Sequence, residues 1–274
     1  MIVDDLIVYG KSKVHSDLAK MLLADLMDVN SLELLTILDK EVPEEIEKEY
    51  KYRVDELRKG RPIQYIIGNV NFCGNILEVN ENVLIPRFET EQLVVNTIEK
   101  INELWPTQVI DLIDLGTGSG AIGLSIKKRL PHINVTLLDI SEKALEVAKK
   151  NASNLDLNVK YILNDMLENI ANKYDVIISN PPYIKTNEEI EEIVKNNEPH
   201  LALYADNDGL KLYEEILKNV SNNLKDRAII AFEIGRTQGN RIKEMVNHYL
   251  PNSIVKVEQD LSLNDRFVFI FKNI

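Results

Sequence analysis

From residue 109 to the end, short apolar runs alternate with amphipathic stretches. VIDLIDL (109–115), NVTLLD (134–139), VKYIL (159–163), YDVIIS (174–179) and RAIIAFEI (227–234) are compact runs rich in aliphatic and β-branched residues, the pattern of buried strands. Between them AIGLSIKKRL (121–130), SEKALEVAKKNASNL (141–155), GLKLYEEILKNVSNNL (209–224) and TQGNRIKEMVNHYL (237–250) carry apolar residues at helical spacing. The alternation predicts an α/β domain with an open, mostly parallel sheet and helices on both faces. SIVKVEQ (253–259) and RFVFIF (266–271) have no helix between them, so they are expected to form an antiparallel hairpin at one edge of the sheet.

The front of the chain follows another rhythm. LAKMLLADLM (18–27), SLELLTIL (31–38) and the stretch from Pro43 to Gly60 read as helices of a small bundle. NVNFCG (69–74) and ILEVN (76–80) then read as two short strands around a Gly74-Asn75 turn, followed by an extended VLIPR (83–87). FETEQLVVNTIEKINEL (88–104) is a helix by its spacing, with Thr90 a candidate N-cap. No internal repeat or low-complexity tract interrupts the chain.

Composition narrows the class. The 274 residues are 45% apolar and 28% charged, enough for a sizeable core. No apolar run approaches the roughly 20 residues of a membrane helix, and the acidic start MIVDD is unlike an export signal. With its single cysteine, Cys73, these features lead us to expect a cytoplasmic protein with no membrane partner. The net charge is −12, and neither the first 70 residues nor the remainder is basic, which counts against DNA as a direct partner. Lys51, Arg53, Arg58, Lys59 and Arg61 make one small basic cluster. His15, His132, His200 and His248 form no recognisable catalytic or metal-ligating grouping.

Two motifs carry chemistry. Strand 109–115 runs into Asp114-Leu115-Gly116-Thr117-Gly118-Ser119-Gly120, a turn at which open α/β sheets bind nucleotides, and Asp139 ends the next strand, where a carboxylate can accept both ribose hydroxyls. Asp114 is placed to help hold a cationic ligand end. Asp165 and Met166, after the third strand, are placed to meet an adenine ring. Gly118, Gly120 and Gly123 also match the dinucleotide spacing, so the turn admits either S-adenosylmethionine or NAD.

The second motif is Asn180-Pro181-Pro182-Tyr183, at the end of the fourth strand and so beside the cofactor corner. The Asn180 side-chain carbonyl and the Pro181 carbonyl offer two acceptors for the two N–H bonds of one planar NH2 group. Tyr183 can pack against that flat group. Such a corner suits methylation of a carboxamide or an aryl amine, where alignment with the donor methyl supplies much of the rate.

The pieces RPIQYIIG (61–68), LIPRFETE (84–91), DLGTGSGAI (114–122), ISNPPYI (178–184), EPHLALYADNDG (198–209), FEIG (232–235) and NDRFV (264–268) resemble the HemK family of protein-(glutamine-N(5)) methyltransferases. Phe88 stands where the family has proline, and Met166 where it commonly has an aromatic or other large residue. The resemblance implies a class I S-adenosylmethionine-dependent methyltransferase with a seven-stranded sheet. It implies a helical docking domain over 1–68, a β-hairpin linker over 69–88 and the methyltransferase domain over 89–274. The implied substrate is the glutamine of the Gly-Gly-Gln motif of peptide-chain release factors, with S-adenosylhomocysteine as product, and a monomer is expected. In the family, the segment at Arg87, Glu89, Thr90 and Glu91 closes over the cofactor. Glu198 and residues 206–209 are read as flanks of a lid, and Glu233 as a solvated strand end. The alternative reading is methylation of an exocyclic amine of adenine or cytosine in DNA or rRNA.

Overall fold

A computed structural model describes residues 1–274. The chain divides into two compact units, residues 1–69 with 190–197, and residues 70–189 with 198–274.

The smaller unit is helical, with helices Val3–Lys11, Ser16–Leu26, Ser31–Leu34, Glu44–Arg58 and Ile63–Ile67, joined by the later helix Glu192–Asn197. Their apolar faces meet in a core of Val3, Leu6, Leu22, Leu23, Leu34, Tyr50 and Val54. Asn30 caps Ser31–Leu34 by accepting from the backbone N–H of Leu32 and Glu33, while the Glu33 carboxylate accepts from the Asn30 N–H. The Tyr50 hydroxyl, buried in this core, donates to the Ala19 carbonyl at 3.2 Å. Asn197 donates to the Gly60 carbonyl at 2.9 Å, which ties the later helix to the end of Glu44–Arg58.

The larger unit begins at Val70, within the hairpin of β1 (Asn69–Phe72) and β2 (Asn75–Glu78). Its turn residues are Cys73 and Gly74, both at positive φ, one position earlier than the pattern predicts. Asn75 belongs to β2, and its side chain is buried against Ser125.

The sheet strands are β3 (Asp111–Leu115), β4 (Asn134–Asp139), β5 (Lys160–Leu163) and β6 (Tyr174–Ser179). A small pair, β7 (Ile184–Lys185) and β8 (Tyr204–Ala205), lies apart from them. β9 (Leu224–Glu233), β10 (Ile254–Gln259) and β11 (Asp265–Lys272) complete the set. The order across the main sheet is β10-β11-β9-β6-β3-β4-β5. Strands β9, β6, β3, β4 and β5 are parallel, and β11 runs antiparallel between β9 and β10. Chain order therefore reverses at β3, between β4 on one side and β6 on the other, and that crevice is where ligands bind in such sheets.

Both sheet faces are covered, which is why the strands read as near-continuous apolar runs. Leu112, Val176, Ile178 and Phe269 enter the core on one face, and Ile113, Ile177, Ile230 and Val268 the core on the other. No helix is long and apolar enough to cross a membrane.

Candidate active site

A cleft of about 500 Å³ opens at the carboxyl ends of β3, β4 and β6, within the size range of cofactor sites. Gly116, Gly118, Asp139, Asp165, Met166, Asn180 and Pro182 line it, so the fold brings together residues that span 67 positions of sequence from four strand ends, those of β3, β4, β5 and β6.

The glycine turn is built from below. Asp114 is wholly buried, and its Oδ2 accepts from the Thr117 hydroxyl at 2.6 Å and from the Gly123 N–H at 3.0 Å. Burial raises its carboxyl from 3.8 to about 6, and its Oδ1 has no hydrogen-bond partner in the protein. Asp114 thus shapes the loop and does not line the cleft. Thr117, Ser119 and Gly120 are buried in the same loop, where the Ser119 carbonyl accepts from Asn151 at 2.9 Å. Gly116 and Gly118 face the cleft at φ +68° and +55°. A Cβ on Gly118 would meet nothing within 4 Å, and one on Gly116 only Met166 at 3.9 Å, so the cleft is open beside both glycines.

Asp139 ends β4 with both oxygens oriented by backbone. Oδ2 accepts from the Gly118 N–H at 2.8 Å and Oδ1 from the Ser141 N–H at 2.9 Å. Burial raises its carboxyl while these N–H groups favour the charged form. Each oxygen keeps lone-pair capacity toward the cleft that Asp139 lines. Asn164 donates to the carbonyls of Met166 and Glu168, folding the loop that carries Asp165 and Met166 to the wall.

Asn180 leaves β6 and donates from Nδ2 to the Thr90 hydroxyl oxygen at 3.1 Å. Thr90 in turn donates to Glu233 Oε2 at 2.7 Å. Two expectations are corrected here. Thr90 is not the N-cap, because Arg87 holds that position and Thr90 is buried one turn inside helix Phe88–Leu104. Glu233 is not solvated, being only 1% exposed at the end of β9, and burial pushes its carboxyl up to about 7. Tyr183 is also turned away from the cleft. Its ring packs against the core beside Glu233 and Arg266, burial drives its hydroxyl up to about 12, and it is absent from the cleft wall. Pro181 is buried behind Pro182, which does reach the wall.

Other side chains hold the site together across long sequence gaps. Gln238 donates from Nε2 to the carbonyls of Tyr183, Asp208 and Gly209 and accepts from the Gly235 N–H at 2.8 Å. Glu198 is buried and accepts from the Ile85 N–H at 3.1 Å and from Arg87 at 2.6 Å. Asn151 links β2 to the glycine loop through Glu78 and Ser119. Val83, Leu84, Leu201 and Tyr204 also line the cleft, although the sequence reading gave none of them a role.

The seven-stranded sheet, with five parallel strands and an antiparallel edge hairpin, has the class I methyltransferase fold. Residues 90–203 match the family model "Methyltransferase small domain" and residues 13–68 the "PrmC N-terminal domain". The chain is 37% identical over 255 residues to a release factor glutamine methyltransferase of Bacillus cereus, covering 91% of this chain and 90% of the relative. It is 39% identical over 252 residues to one of Streptococcus pneumoniae, covering 89% and 88%. Among solved structures, the hMettl16 catalytic domain in complex with MAT2A 3′UTR hairpin 6 superposes with a TM-score of 0.55 at 17% identity, over 82% of this chain and 81% of that one. A methyltransferase from Pyrococcus furiosus gives 0.53 at 17%, over 73% and 90%; both likenesses are of fold. The chain belongs to the release factor glutamine methyltransferase family.

Proposed function

We propose that this protein methylates the side-chain amide nitrogen of the Gly-Gly-Gln glutamine of peptide-chain release factors, using S-adenosylmethionine and leaving S-adenosylhomocysteine. The observation that carries this reading is that Asn180 and Pro182 share one cleft with Gly118 and Asp139. An amide-gripping corner and a nucleoside-sized cradle are thus one site.

S-adenosylmethionine, when bound, supplies an electrophilic methyl group on a sulfonium. The open faces of Gly116 and Gly118 fit its close approach, and the doubly oriented Asp139 fits a ribose diol. Asp165 and Met166 suit the adenine, while Asp114, with Thr117, Ser119 and Gly120, keeps the loop in shape. Asn180 Oδ1 and the Pro181 carbonyl accept the two substrate N–H bonds and hold the nitrogen lone pair toward the methyl. Transfer would form the nitrogen–methyl bond as the sulfur–methyl bond breaks, and the one N–H proton lost would pass to solvent. Pro182 narrows the wall, and Tyr183 stiffens the corner from the core side. We assign the helical segment 1–68 to docking of the release factor, 69–88 to a linker and 89–274 to catalysis. We expect a cytoplasmic monomer that acts on protein and not directly on DNA.

The test is methyl transfer from labelled S-adenosylmethionine to a purified release factor, with the labelled residue mapped by mass spectrometry. Label on the Gly-Gly-Gln glutamine supports the reading, and label only on nucleic acid supplied in parallel overturns it. Asn180→Ala should lower kcat by 100-fold or more, on the order of 3 kcal/mol, while S-adenosylhomocysteine still raises the melting temperature.

A further inference from the structure

We propose that Thr90 and Glu233 are a positioning pair that fixes which way round the Asn180 carboxamide stands, with Glu233 as the carboxylate end of a directed hydrogen-bond chain. The proposal rests on the amide-gripping role given to Asn180 above and deepens it.

Three elements converge to make the chain. Asn180 follows β6, Thr90 lies in helix Phe88–Leu104 and Glu233 ends β9. The sequence separations are 90 and 143 residues. Both Thr90 and Glu233 are buried, so water does not substitute for either partner.

A hydroxyl has a single proton. When that proton goes to an ionised Glu233, at 2.7 Å, Thr90 has only lone pairs left for Asn180. The amide must then turn its NH2 inward, as found at 3.1 Å, which leaves Oδ1 as the atom free to serve the cleft. An NH2-bearing substrate needs an acceptor there. If Glu233 instead held a proton, it could donate into Thr90 and release the hydroxyl hydrogen toward Asn180. The carboxamide could then invert and present donor to donor. Chain direction, and with it the sense of the site, follows the charge on Glu233.

The surroundings of Glu233 make both states reachable near neutral pH. Burial favours the protonated form and Glu89, on the same helix as Thr90, adds to it. Thr90, Asn180 and Arg266 of β11 favour the carboxylate, which brings the group to about 7. Tyr183 and Tyr213 also face it, and the Tyr213 hydroxyl is committed to the Glu233 backbone carbonyl at 2.7 Å.

The experiment is steady-state methylation of a release factor by the full chain from pH 6 to 9, for wild type, Thr90→Val, Thr90→Ser and Glu233→Gln. Thr90→Val should lose roughly 10- to 100-fold in kcat, the worth of one or two oriented hydrogen bonds, with the S-adenosylmethionine KM within about 3-fold of wild type. Thr90→Ser should recover to within about 3-fold. Wild-type kcat should rise through a group near pH 7, and this limb should vanish in Glu233→Gln, whose amide keeps an acceptor but cannot titrate. Thr90→Val with wild-type kcat, Thr90→Ser no better than Thr90→Val, or survival of the limb in Glu233→Gln would each overturn the pair. Should Thr90→Val not fold, the serine variant and the Glu233→Gln profile still decide. A wild type that methylates no release factor fails the parent reading, and that is visible before any variant is made.

Discussion

Consider the removal of the Glu198 carboxylate by Glu198→Ala. The carboxylate is buried and serves two donors, the Ile85 N–H at 3.1 Å and Arg87 at 2.6 Å. The Ile85 backbone is itself buried, so its N–H would be left without a partner, at about 1.5–3 kcal/mol for a bond to a charged acceptor. Arg87 is partly exposed, so its pairing is worth only about 1 kcal/mol more. The sum is about 3 kcal/mol, or roughly 6–12 °C in melting temperature for a unit of this size. Circular dichroism melts of wild type, Glu198→Ala and an exposed control, Glu146→Ala, measure it. Because Val83 and Leu84 line the cleft just before Ile85, the KM for S-adenosylmethionine should rise in the same variant. A Glu198→Ala melt within about 1 °C of the control would refute the assignment of Glu198 as a buried tie, since about 1 °C is far below the worth of one such bond.

Gly209→Ala introduces a Cβ 2.0 Å from the Tyr183 carbonyl oxygen, at a φ of +78°. It should destabilise by roughly 2–4 kcal/mol and depress kcat, and a fully active, wild-type-stable variant would contradict the close approach. Without cofactor, stability should fall as pH rises from 5 to 8. Asp114 and Glu233 both hold protons more tightly folded than unfolded, so their contribution is whole below about pH 4 and is lost through about 6 and 7 respectively. Each pKa unit is worth about 1.4 kcal/mol, so Glu233→Gln should flatten the fall by up to about 3 kcal/mol. Thermal melts across that window measure it, and an unchanged slope in the variant would disprove the buried carboxyl.

Much of the fold was legible because it is written in local periodicity. Strands buried on both faces appear as unbroken apolar runs, and the intervening helices keep their 3.6-residue stripe, so the parallel sheet and its antiparallel edge hairpin were readable. The placement of Asp139 and Asn180 followed from the reversal of strand order. The two-residue strands β7 and β8 were not readable, since two residues have no period. Thr90 and Glu233 were each seen but misjudged. A threonine near a helix start resembles a cap, and a glutamate at a strand end resembles a solvated charge, until the fold brings them to 2.7 Å. Gln238, Asn151 and the inward turn of Tyr183 were missed for the same reason: a buried polar hub such as Gln238 or Asn151 is defined by segments 29 to 73 residues away. The usable hint was a polar residue closing an otherwise apolar run, as Glu233 does after Ile229–Phe232.

Gln238 binds the backbone on both sides of residues 184–207, at Tyr183 and at Asp208 and Gly209. One carboxamide therefore acts as a clasp at the neck of a long excursion, holding its two ends to each other. Pro199, Leu201, Tyr204 and Asp206 within that excursion contribute to the cleft wall. The segment that supplies this part of the wall is thus anchored at both ends by a single side chain.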